Sequence, residues 1–143
     1  MHPIERALAI ALQAHQGQVD KSGQPYILHP IRIMMRLNDD RARVTAILHD
    51  VIEDSNITFD DLVQAGFDSE IIEALKCLTR AANEDYYDYI LRVKKNQLAR
   101  KVKLADLKDN LDASRLKTLH PKDCQRMERY LSAIKILREE REV

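Results

Sequence analysis

The stretch Ile47–Asp54, ILHDVIED, brings an imidazole and three carboxylates together: His49, Asp50, Glu53 and Asp54. Read as a helix, it places Val44, Ile47, Leu48, Val51 and Ile52 on one apolar stripe and the four polar groups on the opposite side. His49 and Glu53 stand one turn apart, as do Asp50 and Asp54. Carboxylates held that close repel one another unless a cation or a proton relieves them. Taken alone, this is also the pattern of a solvated acidic face on an ordinary amphipathic helix. Two further stretches sharpen it: His29-Pro30, in a segment marked by Gly and Pro, and Asp106, set in the apolar run VKLADL. The imidazoles of His29 and His49 with the carboxylates of Asp50 and Asp106 make a two-nitrogen, two-oxygen set. Such a set suits manganese, iron or zinc and leaves room for water. A divalent ion there acidifies its water, and Glu53 and Asp54 could orient that water or shuttle its proton. Attack of such a nucleophile on phosphorus gives phosphoester or pyrophosphate hydrolysis.

Each residue also has a plainer reading. Asp106 sits among Val102, Leu104, Ala105 and Leu107, so its carboxylate risks burial and must be paired, hydrogen-bonded or metal-bound. Lys103 one turn earlier, or a helix N-terminus, could satisfy it, and Asn110 lies one turn later on the same side. His29 alone reads as a packed core histidine, and so do His15 and His120. Cys77 and Cys124 lie far apart and match no ligand spacing, which predicts structural thiols of a cytosolic protein.

Helices must position these groups. The chain has three glycines and four prolines and lacks alternating Val/Ile-rich runs, so helical periodicity dominates and an all-α fold is expected. A first helix is expected from Ile4 to Gln16, with Ile4, Leu8, Ala11, Leu12 and His15 sharing a face. The segment GQVDKSGQPYILHP reads as a structured loop, followed by a short helix from Pro30. Asp39 or Asp40 can cap the helix carrying the central stretch, and Thr58 and Ser69 can cap the next two. Further helices are expected at about 84–95, from Gln97 to Leu111 behind an Asn96 cap, and from Lys122 to Glu140. The last one carries a stripe of Met127, Leu131, Ile134 and Leu137, read as core.

At 143 residues the chain suits one domain, 1–143. With 23 basic and 23 acidic residues the formal charge is zero, so no overall basic field attracts nucleic acid. Any anionic ligand must be held by local groups or a metal. No signal-peptide layout and no apolar run near 18 residues occurs, so a cytoplasmic protein without a membrane span is expected. Oligomeric state stays open.

HD at 49–50 with a preceding His and a later Asp resembles the HD superfamily of metal-dependent phosphohydrolases. HQGQ…KSGQPYILHP, ILHDVIEDS and VKLADLKDN resemble more closely the hydrolase domain of bifunctional alarmone enzymes and their small stand-alone relatives, from Ala14 to about Leu137. The resemblance implies a single all-α HD-domain helical bundle with one Mn2+ in its interior. It implies removal of the 3′-pyrophosphate of guanosine tetra- and pentaphosphate. It makes His29, His49, Asp50 and Asp106 the metal ligands and Glu53 and Asp54 the water-activating pair. Lys21, Ser22, Asn110, Arg126 and Tyr130 become substrate contacts. The chain departs from the pattern in two places. Val19-Asp20 stand where a basic pair is usual, and KLADLKDN replaces KLADRLHN, so that Leu107, Lys108 and Asp109 take the places of Arg, Leu and His. Because of these departures, a phosphohydrolase for another nucleotide or dinucleotide (the 2′-phosphate of NADPH, for example) and a non-catalytic nucleotide-binding module remain alternatives. The length leaves no room for a synthetase domain.

Overall fold

The computed structural model describes residues 1–139. Among them the chain forms nine α-helices: α1 Pro3–Ala14, α2 Leu28–Met35, α3 Asp40–Leu48, α4 Val51–Asp54, α5 Phe59–Gln64, α6 Ser69–Leu78, α7 Tyr86–Lys94, α8 Gln97–Asn110 and α9 Pro121–Arg138. A 3₁₀ turn, Ala113–Arg115, follows α8. The only pairing of extended backbone among the described residues is an isolated bridge between Val19 and Pro25. The all-α reading is therefore correct. No helix among them is long and apolar enough to cross a membrane.

Local chemistry sets the boundaries. Asp39, Thr58 and Asn96 cap α3, α5 and α8 by accepting from Ala42, Asp61 and Ala99 amides, as their residue types predict. For α6 the cap is Asp68, which accepts from the Ile71 N–H; Ser69 is already the first helical residue. A carboxylate one position upstream outcompetes the hydroxyl for the free amide. Pro3 opens α1, which ends at Ala14, two residues before Gln16. Leu12 on that helix is exposed, and Ala7 and Ala11 carry its buried face. On α9, Ile134 and Leu137 are core, but Leu131 is exposed and Ala133 takes its place inside. The expected end of α9 at Glu140 lies outside the described residues.

Two apolar clusters make the interior. One joins α2 and α6–α9 through Ile33, Ile90, Val93, Val102, Leu107 and Leu137. The other joins α1 and α3–α6 through Ala11, Ile47, Leu48, Leu62, Ile71 and Leu75. Helix α3 belongs to both, with Ala42 and Ala46 in the first cluster and Val44, Ile47 and Leu48 in the second. It is therefore not the half-exposed helix that the stripe predicts.

Nor does it continue through ILHDVIED. The helix stops at Leu48, and α4 restarts at Val51 after Asp50 at φ −105°, ψ 0°. His49 Nδ1 takes the Ala46 carbonyl at 2.6 Å, drawing on a carbonyl that the helical ladder would otherwise use. His49 is buried, not part of a solvated face. The break is what turns its ring inward.

Candidate metal centre

His29 comes from the first turn of α2, His49 and Asp50 from the α3–α4 break, and Asp106 from the middle of α8. Their polar ends converge. His49 Nε2 lies 3.0 Å from Asp50 Oδ2 and 3.6 Å from Asp106 Oδ1. His29 Nε2 lies 3.0 Å from Asp106 Oδ1 and 3.9 Å from Asp50 Oδ2. One ligand atom each from His29, His49 and Asp50 fall within 4.8 Å of one another, and Asp106 faces both imidazoles from α8.

The remaining lone pairs are occupied from outside. The Tyr26 hydroxyl donates a short hydrogen bond to Asp50 Oδ2. Lys103 Nζ donates to Asp106 Oδ2 at 2.8 Å, and Asn110 Nδ2 donates to Oδ1 at 3.2 Å. The Lys103 pairing expected for a merely structural Asp106 is thus present, but it uses the oxygen that does not face the imidazoles. The Ala46 carbonyl can only accept, so the neutral ring of His49 carries its proton on Nδ1 and presents a bare Nε2. That Nε2 is buried and finds no hydrogen-bond partner among the described residues, although a carboxylate oxygen lies 3.0 Å away. Near a carboxylate but out of line for a hydrogen bond, it is placed as a cation ligand is placed.

The electrostatics fit the same picture. Burial opposes ionisation of Asp106, but the Lys103 charge and both imidazoles outweigh it and hold the carboxyl well below its usual range. Asp50 is likewise pulled down to about 2, burial being overcome by His49. Burial also favours neutral imidazoles, yet the surrounding carboxylates raise both His29 and His49. Carboxylates that favour the cationic form of two buried imidazoles would equally favour a divalent cation among them. Burial and Asp50 push the Tyr26 phenol far above its ordinary value, so it remains a donor. The donor set fits a hard or borderline divalent metal.

A cavity of ≈ 540 Å³ opens beside the cluster, with Asp50, Asp106 and His29 in its wall. Lys21, Ser22, Asn110, Arg126 and Tyr130, the five residues expected to touch substrate, all line it. Ser22 donates its hydroxyl hydrogen to the Arg115 carbonyl at 2.9 Å, tying the 17–27 loop to the 3₁₀ turn. Asp20 does not act as a repulsive charge at the mouth alone. Its Oδ1 accepts from Ser22 and Gln24 amides at 2.8 and 3.0 Å and builds the turn through Gly23, whose φ of 82° favours glycine. Arg126 is ion-paired with Asp123. Partial burial and the Arg126 charge lower the Lys21 ammonium.

Glu53 and Asp54 do not line this cavity. Glu53 Oε1 accepts from the Arg80 N–H at 2.9 Å. Lost hydration raises its carboxyl against that bond, and the Asp50 charge adds to the rise. Asp54 Oδ2 accepts from Gln18 Nε2 at 3.2 Å and lies 3.7 Å from His15 Nδ1. His15, expected in the core, is indeed buried, its ring tilted at 51° to that of Tyr26 with centroids 4.9 Å apart.

Sequence reasoning passed over Tyr26, Arg32, Arg115 and Asp109. Asp109 is buried and takes three donors: His29 Nδ1 at 2.8 Å and Arg32 Nε and Nη2 at 2.9 and 3.1 Å. Burial opposes its ionisation, but these partners hold the carboxyl far below the usual range. Helical spacing puts Arg32 one turn from His29 and Asp109 one turn from Asp106, but it does not show that the two pairs meet.

The chain is similar to several known proteins. The guanosine-3′,5′-bis(diphosphate) 3′-pyrophosphohydrolase of Borreliella burgdorferi is 41% identical over 81 residues, covering 54% of this chain and 12% of that protein. The bifunctional (p)ppGpp synthase/hydrolase SpoT of Escherichia coli is 32% identical over 123 residues, covering 76% of this chain and 17% of that protein. The chain thus spans less than a fifth of the length of these relatives. A solved structure described as a metazoan ortholog of SpoT that hydrolyzes ppGpp superposes with a TM-score of 0.79 at 22% identity, over 96% of this chain and 86% of that one. At that identity the likeness is one of fold. The HD domain profile matches residues 7–126, a span that contains every residue of the metal cluster, and by that match the chain belongs to the HD-domain family.

Proposed function

We propose that residues 1–143 act as one hydrolase unit of the cytoplasm. It removes the 3′-pyrophosphate of guanosine tetra- or pentaphosphate with water, releasing pyrophosphate and GDP or GTP. The observation that carries this reading is the convergence of His29, His49, Asp50 and Asp106 beside a cavity that three of them line together with Lys21, Arg126, Asn110 and Tyr130. The names of the sequence relatives point to the same chemistry.

Those four residues would hold the cation; two imidazoles and two carboxylates suit manganese, iron or zinc, and the resemblance to the alarmone hydrolases makes Mn2+ the choice among them. When bound, the ion supplies Lewis-acid activation of water and neutralises charge building on the phosphoryl oxygens. The chain's own groups do the rest. Lys21 and Arg126 face the cavity as cations for the phosphates. Tyr130 offers a ring for packing against the nucleoside, and Asn110 an amide beside Asp106. Tyr26 and Lys103 fix the rotamers of Asp50 and Asp106. Glu53 and Asp54, which follow Asp50 but stand outside the cavity wall in this structure, are by the resemblance the carboxylates that would take the proton of the attacking water. The 3′-oxygen leaves protonated, which balances the reaction.

A panel of guanosine tetraphosphate, NADPH and other phosphorylated nucleotides, assayed with and without Mn2+, tests the proposal. Mn2+-dependent release of pyrophosphate from the alarmone is expected. Release of inorganic phosphate from NADPH alone would move the assignment to dinucleotides. Inertness towards every compound, in a sample that binds them, would leave a non-catalytic module.

A further inference from the structure

Outside the four metal-facing residues, the most heavily bonded buried charge in the molecule is Asp109. It occupies one of the three positions at which this chain departs from KLADRLHN. Its side chain is 1% exposed, and the hydrogen bonds it accepts come from an imidazole and a guanidinium. His29 Nδ1 sits on Oδ2 at 2.8 Å, Arg32 clamps both oxygens, and Arg115 Nη2 lies 3.6 Å from Oδ2 while donating to the Asp109 carbonyl at 2.9 Å. The imidazole has two nitrogens with opposite jobs. With Nδ1 2.8 Å from a carboxylate oxygen, the proton of the neutral ring belongs on Nδ1 and the lone pair on Nε2 faces Asp106 and Asp50. The neighbouring imidazole reaches the same state by a weaker acceptor, the Ala46 carbonyl.

We infer that Asp109 is a positioning residue for the cation seat: it fixes the tautomer and ring plane of His29 and strengthens Nε2 as a ligand, while its second oxygen holds the Arg32 guanidinium against the cavity wall. The inference rests on reading the four converging residues as a divalent-cation seat. A carboxylate behind a ligating imidazole makes the ring a better electron donor and restricts its rotation, and losing such a partner weakens metal binding about 10- to 100-fold. An ionic hub also explains why a carboxylate can be tolerated here at almost no exposure: two guanidiniums and an imidazole N–H replace its hydration.

Calorimetric titration of the full chain with Mn2+ tests this. Asp109→Asn should raise the Mn2+ dissociation constant about 10- to 100-fold. Asp68→Ala, a cap remote from the cavity, serves as a control for lost stability and should leave it unchanged. An unaltered constant in Asp109→Asn overturns the inference and spares the functional reading; a wild-type protein that binds no divalent cation overturns both. Should Asp109→Asn fail to fold, the wild type still decides. With Zn2+ bound, nitrogen-resolved NMR of His29 should show the proton on Nδ1 and the metal on Nε2. The reverse tautomer, which a purely structural Asp109 would permit, sinks the proposal.

Discussion

At the scale of single residues, the cluster divides labour by which atom of each side chain is spoken for. Asp106 gives one oxygen to Lys103 and the other to the imidazoles; His49 gives one nitrogen to a carbonyl and keeps the other bare. Glu53 stands apart, tethered to the Arg80 amide instead of the cluster. Glu53→Gln should therefore keep the Mn2+ affinity of the wild type and lose turnover by about 10²-fold or more, the usual contribution of a proton-transfer group. Metal titration run beside the rate assay checks this, and joint loss of metal and rate would make Glu53 a support of the seat. The convergence of His29, His49, Asp50 and Asp106 was legible only when the four were read jointly, because each alone also fits a core histidine or a paired carboxylate. Asp109 and Tyr26 were not legible. Their importance is a matter of which atom they touch, and nothing in an Asp three residues after an Asp says that it reaches across to a histidine eighty residues away.

At the scale of elements, the helices were legible where capping and periodicity agree, as at α3, α5 and α8. The break between α3 and α4 was not. Its cause is the His49 side chain competing for a backbone carbonyl, and the apolar period runs straight through it. The cap of α6 offers a pH test. Asp68 accepts from the Ile71 N–H, its carboxyl is lowered chiefly by that bond, and Arg41 adds to the effect. A depressed folded value means that the stabilisation is present above the unfolded value of about 3.9 and is lost as pH falls through it toward the folded value. Because the side chain is largely exposed, water screens the Arg41 pair and the cap carries most of the effect. Asp68→Ala should cost about 1 kcal/mol near neutral pH. That difference from wild type should shrink between about pH 5 and pH 3, followed by urea melts at each pH. A constant difference across that range would assign the loss to packing.

At the scale of the whole molecule, the seat lies where two apolar clusters meet, with α3 shared between them and α8 bearing both Asp106 and core side chains. Leu107, next to Asp106 and pointing the other way, is fully buried where the resembling pattern has Arg. Here α8 is pinned by apolar packing. Leu107→Ala should destabilise the fold by about 2–5 kcal/mol, seen as a lower urea midpoint at unchanged slope. A loss under about 1 kcal/mol would show that α8 is held by its polar network. The chain has no tryptophan and five tyrosines, so all of its near-ultraviolet emission is phenolic. Tyr26 alone of these five donates, among the described residues, to a carboxylate of the cluster. An excited phenol loses its proton readily to such an acceptor and goes dark. A diamagnetic ion such as Zn2+ that loosened the hold of Asp50 on that proton would let Tyr26 light up, an optical gauge of occupancy with no label attached.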